Sequence, residues 1–582
     1  MVPANPHAIR QVSKSMRQLI APGVVALLSS VYFCACTTDS DKEAEDVKWT
    51  VSWNAPFLSG NGYGSEALAT IVGLNATLPS NWSISINQHG DSMSNKFGMS
   101  LPGDLIKFLS TASKRQYGIT QGDKLGTGER SLVGMQESKG LAPERTVVVC
   151  HSEPGAWSAP YALYETEECP PVLADKFNHK WGYIVGRTMF ETDRLPEGWV
   201  DRLNSMDEVW VPTMHHKQIF DEASVKNVRI VGQGIDPNRW DPDKAKPLDW
   251  RVIDPDRQCN KDDVKFLSVF KWEKRKGHDL LIPAFWEAFP PPRECSAKEM
   301  RNGECKAPWA DGDGGNDGDK KRGACLIVVT SLYHADPEEV IGDIERYWVK
   351  STGRKAKEYE DMQGVVLLNG LSEEELIGLY KSVDAFVLPS RGEGWGRPYM
   401  EAMAMGLPVI ASNWSGPTAF VTKDNGYLLK IKGLVDANLD AFFGHRWAEP
   451  DKEALKELLV RIRDNPEEGR KKGKNARRDI LEKWSHEKVA LGIGIELERI
   501  ARFGGKMPTV EDEERINNGQ VPKMESAVRP EEESEAAKGE TKQLVQEREE
   551  ESSSVAAAAE EDVDAERGQG GQNDRGQHHD EL

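Results

Sequence analysis

Apolar positions in the body of this chain fall into short dense runs, separated by segments where they recur every three or four residues. Residues 49–57 (WTVSWNAPF) read as a strand, 65–78 (SEALATIVGLNATL) as a helix and 82–89 (WSISINQH) as a strand. Further strand candidates follow at 146–153, 181–191, 207–213 and 228–236. A second series opens with KFLSVFKW (265–272) and runs through a helix at 277–289, strands at 324–331 and 364–370, a helix at 372–382 and a strand at 384–389. Strand and helix alternating in both halves predict an α/β protein with two Rossmann-like parallel-sheet domains and a cleft between them. The expected boundaries are 47–245 for the first domain and 246–507 for the second. A closing helical pattern covers 454–484, with a last helix near 487–503. Within the second domain, 290–323 is too polar and glycine-rich for a core and reads as a surface insertion.

Composition changes the picture at the ends. The formal net charge is −20, and residues 508–582 hold 22 acidic and 8 basic side chains with no Phe, Trp or Tyr. Such a segment has too little apolar surface to fold and is expected to be a disordered tail. The body carries the remaining −6, which gives no electrostatic case for nucleic acid. The tail ends in His579-Asp580-Glu581-Leu582, an endoplasmic-reticulum retention signal. At the other end, Lys14 and Arg17 precede an apolar run at 19–36, so residues 1–46 read as a signal peptide or signal anchor with its linker. Both signals predict residence in the endoplasmic-reticulum lumen, soluble or held by the N-terminal anchor, with the HDEL receptor as a partner. Six cysteines lie outside the targeting segment, and their pairing stays open, a Cys295–Cys305 clip in the insertion included. Sequons stand at Asn75, Asn81 and Asn413, the last expected to be too enclosed for a glycan.

The candidate chemistry is densest at 390–412, SRGEGWGRPYMEAMAMGLPVIAS. The apolar run 384–389 predicts a strand, Gly392, Gly394 and Gly396 a loop, and Pro398 the first turn of a helix. Glu393 then lies on the loop and Glu401 in the first helical turn. A glycine loop at a helix N-terminus offers free backbone N–H groups to phosphate, and carboxylates beside it accept hydrogen bonds from sugar hydroxyls. The ligand predicted is a sugar nucleotide. Upstream, Lys271 and Lys276 follow a strand and open a helix, where two cations suit a diphosphate leaving group. In the first half, Gly60, Gly62 and Gly64 punctuate a strand-to-helix turn, with no acidic residue about 20 positions on to hold a dinucleotide ribose.

Glu393 and Glu401, eight positions apart in this glycine frame, closely resemble the donor motif of the retaining GT-B glycosyltransferases of family 4 (glycosyl transferases group 1). The resemblance covers roughly 255–500 well and 50–240 loosely. It implies transfer of a hexosyl group from a nucleoside diphosphate sugar to a hydroxyl with retained configuration. In that reading Lys271 and Lys276 stabilise the departing diphosphate, Glu393 and His151 orient the sugar, and Glu401 anchors the ribose. The backbones of Gly60, Gly62, Gly64, Gly394, Trp395 and Gly396 approach the donor, and Asn369 lies where family members meet the base. Family members usually have Arg where Lys271 stands, which keeps the charge and loses the bidentate fork; Arg275 is the candidate to replace it. Arg187, Glu191 and Asp193 are candidates for substrate contact or for structural ion pairs. No cofactor or metal is implied. A UDP-sugar ranks first as donor and GDP-mannose second; the acceptor is a glycan, a protein or a lipid. The rival expectations are a catalytically inactive luminal protein binding sugar nucleotide or glycan, and an acidic calcium-binding luminal factor.

Overall fold

The computed structural model describes residues 49–114, 143–158, 166, 168–171, 180–255, 259–290, 322–331, 336–355, 362, 364–437 and 443–507. The targeting segment, the Cys295–Cys305 clip and the acidic tail lie outside these residues. Among the described residues no helix is long and apolar enough to cross a membrane.

The first sheet has six parallel strands: β1 (Trp49–Ala55), β2 (Trp82–Gln88), β3 (Thr146–His151), β4 (Tyr183–Arg187), β5 (Glu208–Val211) and β6 (Val228–Ile230), in the order β2-β1-β3-β4-β5-β6. Helix α1 (Gly62–Thr77) follows β1, and α2 (Met214–Glu222) lies between β5 and β6. The second sheet is also six-stranded and parallel: β7 (Val264–Lys271), β8 (Ala324–Ser331), β9 (Val365–Leu368), β10 (Ala385–Leu388), β11 (Val409–Ser412) and β12 (Tyr427–Leu429), in the order β12-β11-β10-β7-β8-β9. Its helices are α3 (His278–Ala288), α4 (Pro337–Thr352), α5 (Glu373–Tyr380) and α6 (Arg397–Ala404). These are the two Rossmann-like domains that the alternation predicts.

The strands read as near-continuous apolar runs because helices cover both faces of each sheet. Seven of the eight β8 residues are buried, and all six of β3. The second domain has one large core around β7, β8, β10 and β11, whereas separate clusters line the two faces of the first sheet. Two disulfides join neighbouring segments, Cys150–Cys169 and Cys259–Cys325. The chain closes with α7 (Lys452–Asp464), α8 (Pro466–Asp479) and α9 (His486–Phe503), and α9 crosses back to pack on α1 of the first domain. Arg499 donates two 2.7 Å hydrogen bonds to the buried Glu208 of β5, and Trp82 Nε1 of β2 donates to Glu498 Oε1 at 2.5 Å.

One element escaped the apolar pattern. β13 (Ile431–Asp436) and β14 (Arg446–Pro450) pair antiparallel, and β13 has no buried residue. Beside it, Asn413 is exposed, contrary to the enclosure expected for that sequon.

Each sheet order has one reversal point, β1/β3 in the first and β7/β10 in the second. In open parallel sheets ligands bind beyond the carboxyl ends of the strands at such a point. Gly277, directly after the basic segment that follows β7 and at the start of α3, holds this point together. It has φ +73°, and a Cβ there would lie 2.1 Å from the Pro389 carbonyl oxygen at the end of β10. Gly277→Ala should therefore destabilise the protein by about 2–3 kcal/mol through left-handed strain and overlap. A thermal midpoint within about 1 °C of wild type would contradict this.

Candidate active site

The carboxyl ends of β7 and β10 bring the predicted basic segment and glutamate loop together. Lys276, in a short 3-10 turn before α3, places Nζ 2.7 and 2.8 Å from the two carboxylate oxygens of Glu393. Both side chains are largely buried, 12% and 7% exposed. Arg275 donates from Nη1 to the Gly392 carbonyl at 2.7 Å, and its guanidinium lies 3.7 Å from Glu393 and 3.8 Å from Glu191. Burial works against the Glu393 carboxylate, yet Lys276 and Arg275 outweigh it and hold the group below its ordinary pKa. Burial likewise opposes the Arg275 cation, and Glu191, Glu393 and Glu273 together keep it more firmly protonated than usual. Lys271 is exposed at the end of β7, in the field of Glu273, Lys276, Arg275 and Asp91, the last from the first domain.

The loop itself is pinned by an arginine the sequence reading passed over. Buried Arg391 donates to Asp279 at 2.7 and 2.9 Å, to Glu449 at 2.8 Å and to the Lys274 carbonyl at 2.6 Å. It thereby ties the loop to the start of α3 and to β14. Gly392 and Gly394 let the loop meet the first domain closely: a Cβ would lie 2.0 Å from the Glu191 carbonyl oxygen at the former and 2.6 Å from Met189 Sδ at the latter. Glu191 thus stands at the meeting of the two domains, whereas Asp193 accepts from the Arg446 backbone N–H at 2.8 Å and side chain at 3.0 Å.

Gly396, at φ +104°, opens α6. Half-buried Glu401 is the fifth residue of α6, in its second turn rather than in the first as expected, because the helix begins at Arg397, and it accepts a 3.1 Å hydrogen bond from the Tyr380 hydroxyl. Burial pushes its pKa up, against the pull of neighbouring Arg397 and Tyr380. Arg397 is a second cation missed in the sequence: its Nε has no hydrogen-bond partner among the described residues, and it feels Glu401, Glu66 and Glu373. Its position immediately before the helix-opening proline was the available signal. The Trp395 indole turns into the core, where Nε1 faces Met400 Sδ at 2.6 Å and the ring packs on Phe420 and Trp484, so only its backbone is left to meet a ligand. Asn369 is exposed beyond β9, ahead of a capping box formed by Ser372 and Glu375.

The first-domain candidates gather at the other reversal point. Gly60 precedes α1, and Gly62 and Gly64 lie in its first turn, where the Asn61 side chain accepts from Gly64 N–H at 2.7 Å. His151 ends β3 fully buried: Nδ1 accepts from Trp53 Nε1 at 3.0 Å, and Nε2 lies 3.2 Å from Glu66. Burial keeps this imidazole neutral, its pKa below the usual value. The structure therefore places His151 in a buried network with Glu66 and Arg187. Arg187 likewise has buried partners: Glu66 Oε1 at 2.7 Å and the Val231 and Gly232 carbonyls at 3.0 and 2.9 Å.

Two facing Rossmann-like domains, with a cation–carboxylate pair at the reversal point of the second, define the GT-B fold class. Within it, residues 339–479 match the model of the family glycosyl transferases group 1. The chain is 34% identical over 122 residues to the MMP alpha-(1->4)-mannosyltransferase of Mycolicibacterium hassiacum, a match covering 21% of this chain and 26% of that protein. It is 30% identical over 132 residues to a GDP-mannose-dependent monoacylated alpha-(1-6)-phosphatidylinositol monomannoside mannosyltransferase of Corynebacterium glutamicum, covering 22% of this chain and 30% of that one. The chain thus spans about a quarter to a third of the length of these relatives. The crystal structure of a glycosyltransferase from Rickettsia africae aligns with 78% of this chain and 98% of its own, at 14% identity and a TM-score of 0.47.

Proposed function

We propose that this protein is a retaining glycosyltransferase that moves a hexosyl group from a nucleoside diphosphate sugar to a hydroxyl acceptor. The observation carrying the proposal is the Lys276–Glu393 pair at the β7/β10 reversal point, with Glu401 in α6 beside it. In the reaction the bond between the sugar C1 and the β-phosphate oxygen breaks as a bond from C1 to the acceptor oxygen forms, and the acceptor proton leaves with the diphosphate. Charge builds on that diphosphate, where Lys276, Lys271 and Arg275 offset it; no metal is invoked. Glu393, kept ionised by its two cations, holds sugar hydroxyls. Glu401, beside a tyrosine hydroxyl, accepts from the ribose. The relatives' names favour a mannosyl donor, and the panel that tests the proposal spans UDP- and GDP-sugars. The proposal extends to activity in the endoplasmic-reticulum lumen, a reading supported by the retention and targeting motifs of the sequence, with a glycan, protein or lipid as acceptor.

The test is donor binding and hydrolysis by the full chain, beside Glu401→Ala. One donor is expected to bind in the micromolar range, and the variant to bind it about tenfold or more weakly for loss of a charged hydrogen bond. A folded wild type that binds no donor of the panel would refute the proposal.

A further inference from the structure

An opening adjoins the glutamate loop at Trp414. It is a cavity of 520 Å³ between α2, the segment after β4 and the β13–β14 pair, lined by His215, Gln218, Glu222, Asp193, Trp414 and Leu434 together with two arginines. Trp414 supplies an aromatic wall, and His215 meets it edge-on with ring centroids 4.8 Å apart at 68°. Leu434 adds an apolar surface from β13.

The polar lining is balanced. Asp193 pairs with Arg446 and Arg194, each at 3.0 Å, and Glu222 accepts from Gln218 at 2.9 Å. With two carboxylates against two guanidiniums, the cavity has no excess charge to attract an ion. Burial pushes the His215 imidazole down to about 4, so it is neutral at physiological pH, and its buried Nε2 makes no hydrogen bond of ordinary geometry among the described residues. A flat aromatic wall, an apolar side and a fringe of neutral or internally paired polar groups match a neutral polyhydroxylated ring, which has both apolar C–H faces and hydroxyl edges.

The cavity also adjoins the proposed reaction centre. A Cβ at Gly392 would lie 3.0 Å from Trp414 Cζ3, and Ser415, next in sequence, accepts from the Glu393 backbone N–H at 3.0 Å. An occupant stacked on Trp414 is therefore separated from the Glu393 loop by a single side chain.

We infer that this cavity is a subsite for a sugar residue of the acceptor, stacked on Trp414, and that the acceptor is a glycan. The inference rests on the proposed transferase reading, and its test has a readout that does not depend on turnover. Saturation-transfer NMR on the full chain would use methyl glycosides and disaccharides of mannose, glucose and N-acetylglucosamine as probes. Trp414→Ala removes the wall, and Leu434→Arg fills the cavity from the little-buried β13 without touching the core. At least one probe is expected to bind wild type and to lose about tenfold or more in affinity in both variants, the size of a lost aromatic contact with its buried area. Donor hydrolysis should be unchanged in Leu434→Arg. Equal binding of that probe to wild type and both variants would overturn the subsite. So would binding of no probe by a wild type that hydrolyses donor. A wild type that neither binds nor hydrolyses any donor would count against the transferase itself, while glycoside binding that depends on Trp414 and Leu434 would still uphold the subsite.

Discussion

Lys276→Ala is expected to lower donor turnover by a factor of about 100 to 1,000, the range seen when one preorganised electrostatic group is taken from a developing charge. The same substitution should also cost stability, because Lys276 supplies both short contacts to the Glu393 carboxylate. Without it Glu393 stays largely buried with only Arg275, at 3.7 Å, for partial compensation. Removing one member of a buried pair costs about 3–5 kcal/mol, so about 3 kcal/mol is expected with Arg275 in place. The two losses separate in the double variant: adding Glu393→Gln to Lys276→Ala should restore most of the stability and none of the turnover. Initial rates of donor hydrolysis and urea midpoints on the four proteins of this cycle would measure both. Turnover within threefold of wild type in folded Lys276→Ala would remove Lys276 from the mechanism, and an undiminished midpoint would show that Glu393 finds another partner.

The parts of this site that could be read from sequence are those fixed by local backbone chemistry. Gly392, Gly394, Gly396 and Pro398 define a strand-to-helix turn whatever surrounds them, so Glu393 on the loop and Glu401 on the helix follow from spacing, although Glu401 falls in the second turn rather than the first. The buried strands announced themselves by length and apolar density. What spacing does not contain is which charged groups meet across long separations. The pairing of Lys276 with Glu393 spans 117 residues and needs the β7/β10 adjacency that strand order creates. Arg391 and Arg397 look like ordinary loop and helix-start arginines in sequence, and only tertiary packing reveals that one is buried and the other lies among three carboxylates. Trp395 shows the converse: a motif fixes the backbone, but the core decides where an indole points. The β13–β14 pair was missed because β13 has no buried residue and hence no period to detect.

Arg187→Leu should reverse the sign of the pH dependence contributed by the buried network of the first domain. In the native protein Glu66 is 1% exposed; burial would raise its pKa, but Arg187 and His151 outweigh this and bring it from 4.5 down to about 2. A carboxyl with a depressed folded pKa adds stability above its unfolded value and loses it as pH falls towards the folded one. Here that contribution of about 3 kcal/mol is complete above about pH 5 and disappears between about pH 4.5 and 2. With leucine at 187 the guanidinium is gone, and the neutral His151 cannot replace its charge. Glu66 becomes a buried carboxylate without a counter-ion, at a cost of about 3–5 kcal/mol at neutral pH. Its folded pKa then exceeds its unfolded one, so native Glu66 binds a proton first and the variant gains stability as pH falls from about 7 to 5, where wild type has no such gain from this group. Urea midpoints of both proteins across that interval, with Arg187→Leu/Glu66→Gln as the reference lacking both charges, isolate the effect. A variant whose deficit is the same at pH 7.5 and pH 5 would show that Arg187 acts through the Val231 and Gly232 carbonyls alone. The expected result instead makes Arg187 the counter-ion that keeps Glu66 charged, and Glu66 the carboxylate that fixes the neutral His151 ring at the end of β3 and adds its field to Arg397 across the domains.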